Sequence, residues 1–190
     1  MANDDAIGGR RELEEDYFRR QDQELIEKMR KASAADQARR ELGAKVGLTD
    51  PELLKEIELL GFTPDTVTLL PLIPVIQVAW AEGGVSIRER KLIVELARKR
   101  GIEPESAAGR QLDAWLEHSP VSSVFSRATR LIKAMIAAGP EQSAAIDPDD
   151  LVKYSESIAA AAGGLLGLGR VSSEERAVLA QIRDALQQRP

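Results

Sequence analysis

The sequence predicts an all-α protein: a compact antiparallel helical bundle with an internal helix–loop–helix duplication, preceded by a long charged helix. Three observations predict it. Aromatic residues make up only 4% of the 190-residue chain, so Leu, Ile, Val and Ala must fill the core beside abundant Glu, Arg and Gln, a mixture that favours helices over strands. Apolar positions recur at helical spacing between Gly, Pro and Ser/Thr/Asp break points. One hexapeptide pattern also occurs twice, as Val85-Ser86-Ile87-Arg88-Glu89-Arg90 and Val171-Ser172-Ser173-Glu174-Glu175-Arg176, at a constant offset of 86 (171 − 85, 176 − 90).

The first element covers residues 10–42, which contain no Gly or Pro. Acidic and basic side chains alternate around it, with Glu24 and Lys28 forming an i,i+4 pair of the better orientation. Phe18, Leu25, Met29 and Ala32 make a narrow apolar stripe, with Leu13 and Tyr17 beside it. This pattern reads as a solvated helix with one sticky edge. It folds back on its own domain, protrudes as an arm or coiled-coil segment that reaches a protein partner or a second copy of the chain, or is disordered. Tyr17, Phe18, Leu25 and Met29 are the candidate partner-binding residues.

Gly43, Gly47 and the start signal Thr49-Asp50-Pro51-Glu52 mark a boundary. Residues 1–45 are thus expected as a helical extension and 46–190 as the helical domain. Within the domain, helices are expected over 51–60, from about 63 to 82, over 86–100, from Pro104 to before Pro120, over 121–138, from Asp147-Pro148 into a glycine segment, and from Ser172 onward. Connections of a few residues fit a bundle.

Ser86 and Ser172 sit at helix starts with Glu89 and Glu175 three residues later. That is the capping-box spacing, in which a hydroxyl accepts from the N3 amide and the carboxylate accepts from the cap amide. Leu92, Ile93 and Leu96 correspond to Val178, Leu179 and Ile182, which extends the repeat beyond the cap.

Composition narrows function. A net charge of −5 argues against a general nucleic-acid binder. The absence of cysteine removes disulfides, thiolate nucleophiles and Cys-based zinc sites. The polar N-terminus lacks a signal-peptide pattern, and neither of the apolar runs 67–81 and 158–169 reaches the ~20 residues that span a bilayer. A cytoplasmic protein with no transmembrane segment is expected. His118 is the only histidine, and no carboxylate stands out as a general acid or base. No enzyme and no cofactor are expected. Trp80 and Trp115 read as core anchors.

The repeat loop is not an EF-hand, because Ile87 occupies the glycine slot and Ile93 the position of the bidentate Glu. Glu82 and Glu89 remain candidates for a looser cation site. The run GGLLGLG at 163–169 lacks a following Lys-Ser/Thr and a completed dinucleotide fingerprint. It reads as a small-residue packing surface.

The stretch LPLIPVIQVAWAEGGVS at 70–86, followed by Glu89-Arg90, resembles the TerB-like (tellurite-resistance protein B) superfamily. The hallmark is an apolar helix ending in a phrase close to Ala-Trp-Ala-Asp-Gly, then a capped helix with Glu. The resemblance spans about residues 64–190. It implies a compact all-helical bacterial domain, associated with stress-response or membrane-linked assemblies, that acts by protein–protein interaction. Members have been linked to metal binding through acidic residues, which would make this chain a metal-responsive (Ca/Mg/Zn-type) domain as the alternative. Here Glu82 stands where Asp is usual, and Leu168-Gly169 stand where the second copy would have an acidic residue and glycine.

Overall fold

Short-range caps dictate where most helices begin, and burial dictates how they pack. The computed structural model describes residues 2–137, 139, 147–162 and 171–187. Among them are eight α-helices, one 3-10 helix and no strand. The chain divides into two compact units, residues 1–40 and 41–190.

The first unit is the greater part of a single helix, α1 (Ala2–Val46). It is longer than expected at both ends. Every residue from 17 to 37 is exposed, so this stretch is held by its own hydrogen bonds and by pairs such as Lys31 Nζ with Glu27, 2.8 Å apart at i,i+4.

The second unit begins within the last turns of α1, where Leu42 and Val46 are buried. Gly43 does not stop the helix, as its place near the expected boundary suggested. It permits a close approach, since a Cβ there would meet the Leu48 carbonyl at 2.6 Å. The stop is Gly47, whose φ of 69° lies in the left-handed region that glycine adopts without steric penalty.

Asp50 then caps α2 (Pro51–Leu59), its carboxylate accepting from the Glu52 amide at 2.9 Å. The helix expected from about 63 to 82 is divided. A 3-10 helix (Val67–Leu72) leads into the seven-residue α3 (Ile73–Ala79). Pro71 and Pro74 explain the division, because each lacks an amide to donate and crowds the preceding turn. Pro74 is tolerated in the first turn of α3, where amides have no intrahelical partner anyway.

Five further helices follow, four of them with a capping side chain. Ser86 caps α4 (Ile87–Lys99). The next helix, α5 (Ala107–Glu117), is capped by Ser106, whose hydroxyl accepts from the Gly109 amide at 2.9 Å, and does not open at Pro104. After α6 (Ser122–Ala137), Asp147 accepts from the Asp149 and Asp150 amides at the start of α7 (Pro148–Ala162). Ser172 opens α8 (Ser173–Gln187). The glycine run 163–169, with Leu168-Gly169, lies outside the described residues.

The centre of this unit is α3, where every residue except Gln77 is buried. It packs against α6, α7 and α8, while α7 also packs against α4 and α8. The two copies of the repeat, α3–α4 and α7–α8, therefore meet each other through the core. Trp80 fastens one end: its indole N–H donates to the Trp115 carbonyl at 2.9 Å, and Phe62 meets the Trp115 ring edge-on at 6.0 Å. Both tryptophans serve packing, as expected.

Candidate functional site

Both capping boxes form. In the first copy Glu89 N donates to Ser86 Oγ at 3.3 Å, and Ser86 N donates to Glu89 Oε2 at 2.7 Å. In the second, Glu175 N donates to Ser172 Oγ at 3.1 Å and Ser172 N donates to Glu175 Oε2 at 2.7 Å. Each box satisfies two amides that a helix start leaves unpartnered. Val85 and Val171, one position earlier, pack partly buried against the core.

The two glutamates share a second property that spacing does not reveal. Glu89 is only 3% exposed and Glu175 only 1%. Burial pushes the Glu89 carboxyl above its ordinary value, the Ser86 hydrogen bonds pull it down, and the charges of Glu175 and Glu82 push it up again. The repeat thus brings Glu82 and Glu175 within electrostatic reach of Glu89. Glu82 is exposed. The second oxygen of Glu175, Oε1, is buried and has no hydrogen-bond donor among the described residues. Among the described residues, no three His, Asp or Glu side chains are gathered closely enough to hold a metal ion.

His118 is exposed at the end of α5. A cavity of about 220 Å³ opens between the end of α1, the 3-10 helix, Arg100 and α6, with Val46, Val67, Leu70, Pro71 and Met135 as apolar walls and Lys45 and Arg100 as cations. Arg100 lies over the Tyr154 ring, 5.8 Å from its centroid, and Lys45 stands 4.0 Å from Asp65. Sequence reasoning missed this cavity because its walls come from four distant segments, none carrying a motif.

The sequence-predicted partner residues lie together on α1 in the first unit. Tyr17, Phe18, Leu25 and Met29 are all exposed, Met29 by 64% and Phe18 by 63%. Tyr17 and Phe18 stack edge-on at 5.9 Å. Ile26 joins them, although it lies off the three- and four-residue steps that define the stripe in the sequence. Five large apolar side chains on one exposed helix are unusual for a surface that meets only water.

No family model matches the chain, and no curated protein or solved structure matches it either. No described helix is long and apolar enough to cross a membrane.

Proposed function

We propose that this chain is a non-enzymatic, TerB-like interaction module of a bacterial cytoplasm, with stress-response assemblies as its setting. The bundle of residues 41–190 acts as a folded platform, and α1 provides the contact surface. One observation carries the reading: residues 17–37 are exposed without interruption and include Tyr17, Phe18, Leu25, Ile26 and Met29. Leaving this much apolar surface in water forgoes about 25 cal/mol for each Å² that burial would remove. A partner that covers the stripe recovers that free energy.

The test is capture from native cells with the full chain and with Phe18→Glu/Leu25→Glu/Met29→Glu. Because all three side chains are exposed, the triple variant folds. The module reading expects it to lose its bound protein, whether a different protein or another copy. Capture of an unchanged set by both chains would remove α1 as the contact surface.

A metal-responsive role is the second reading. Its support is the repulsion that the charges of Glu82 and Glu175 exert on Glu89, which a cation would relieve, and against it stands the lack of three such ligands gathered together among the described residues. Calorimetric titration with Ca²⁺, Mg²⁺ and Zn²⁺ tests it. Binding that Glu82→Ala abolishes supports this role, and absence of heat for all three ions removes it.

A further inference from the structure

The exposed face of α1 is complementary to itself when reversed. Residues 14–27 contain six carboxylates and two arginines, whereas residues 28–40 contain five cations and one carboxylate. The helix is acidic in one half and basic in the other, and the halves meet at Glu27. The contact stripe is centred on the same residue. Phe18, Asp22, Leu25, Met29, Ala32 and Asp36 follow one another at steps of four, three, four, three and four. This is the 3.5-residue average of a coiled-coil seam. Reflection through position 27 maps that set onto itself: 18 onto 36, 22 onto 32, and 25 onto 29.

Resting on the reading of α1 as the contact surface, we infer that its occupant is a second copy of this chain, paired antiparallel about Glu27. In that register Leu25 of one copy meets Met29 of the other, twice, at the centre of the seam. Phe18 falls level with Asp36 and beside the small residues Ala32 and Ala35. The axis passes at the level of Glu27, whose own side chain lies on the face turned away from the seam. The acidic half of one copy then lies along the basic half of the other. A parallel pair reverses this, with every charge facing itself and Lys28, Arg30 and Lys31 forming a single repulsive block. Exposed ion pairs contribute little attraction individually. The charges therefore choose the direction, and Phe18, Leu25, Ile26 and Met29 supply the adhesion.

The chain has no cysteine, so engineered thiols report the pairing without background. Asp22→Cys and Ala32→Cys occupy facing seam positions and remove no large apolar side chain. The inference expects sedimentation of the full chain at twice its 20.7 kDa. Under mild oxidation each single variant stays unlinked, and an equimolar mixture gives the mixed disulfide dimer. Adding Leu25→Glu/Met29→Glu to both chains abolishes the mixed link. Self-linking of each variant with no gain on mixing means a parallel pair and overturns the inference. So does a chain that is monomeric at every concentration and unlinked in the mixture. If that monomer still captures a different protein through Phe18, Leu25 and Met29, the module reading survives and only the second copy is lost. If it captures nothing, both fail.

Discussion

Two helices of this chain spend their apolar residues in opposite ways. In the seven residues of α3, all but Gln77 are buried, and Ile73, Val75, Ile76 and Val78 are sealed completely. In the 45 residues of α1, the five large apolar side chains between 17 and 29 face water. A short helix cannot persist on its own hydrogen bonds, because nucleation is too costly. The form of α3 therefore depends on its neighbours. A long, charged helix with i,i+4 pairs needs neighbours less for its shape. What its stripe gains from covering is association.

The largest test of this contrast is Ile76→Ala in α3, which leaves a void in a sealed core. It is expected to cost about 2–5 kcal/mol, read as a fall in the denaturation midpoint by tryptophan fluorescence. Both tryptophans, Trp80 and Trp115, lie in the second unit, so the signal reports that unit alone. A loss under 1 kcal/mol would mean that α3 is not the organising helix.

An intermediate effect is expected at the repeated caps. Glu89→Ala and Glu175→Ala each remove the acceptor for a partly buried amide, so each should cost about 1–2 kcal/mol. Similar losses support two equivalent helix starts. A cost at one copy alone would break the equivalence.

A smaller effect separates the charge of Glu89 from its hydrogen bonding. Glu89→Gln keeps an oxygen for the Ser86 amide and removes the charge. Because burial raises the folded carboxyl above its ordinary value, the folded state takes up this proton before the unfolded state does. Stability attributable to Glu89 therefore rises as pH falls from the raised value to the ordinary one, and is constant below both. The variant's advantage in melting temperature over the native chain should be greatest at neutral pH and shrink on acidification. An advantage that does not change with pH would refute the raised carboxyl.

The smallest effect belongs to α1. Leu25→Glu/Met29→Glu should leave the fluorescence-detected unfolding within about 0.5 kcal/mol of the native chain, although it abolishes pairing. A large destabilisation would show that the stripe supports the bundle.

Helix starts were the most legible part of the sequence. Ser86, Ser172 and Asp50 cap as their spacing predicts, because a cap is settled among four consecutive residues. Pro104 does not open α5, and the segment from 63 to 82 divides, for a related reason: nearby Ser106, Pro71 and Pro74 compete locally, and propensity alone does not rank them. The cavity beside Lys45 and Arg100 and the exposure of Ile26 were not legible at all.

The sequence by itself determined the helical class, the repeated capping box, and a stripe on α1 whose charges reverse at its midpoint. Those properties depend on composition, spacing and order, which the chain carries before it folds. Only the tertiary structure decided that α3 would be sealed, that Glu89 and Glu175 would be buried within reach of each other's charge, and that residues 17–37 would stay exposed. Burial and Coulomb energy depend on distances across the core, and residues 86 positions apart acquire such a distance only when α3, α4, α7 and α8 pack together.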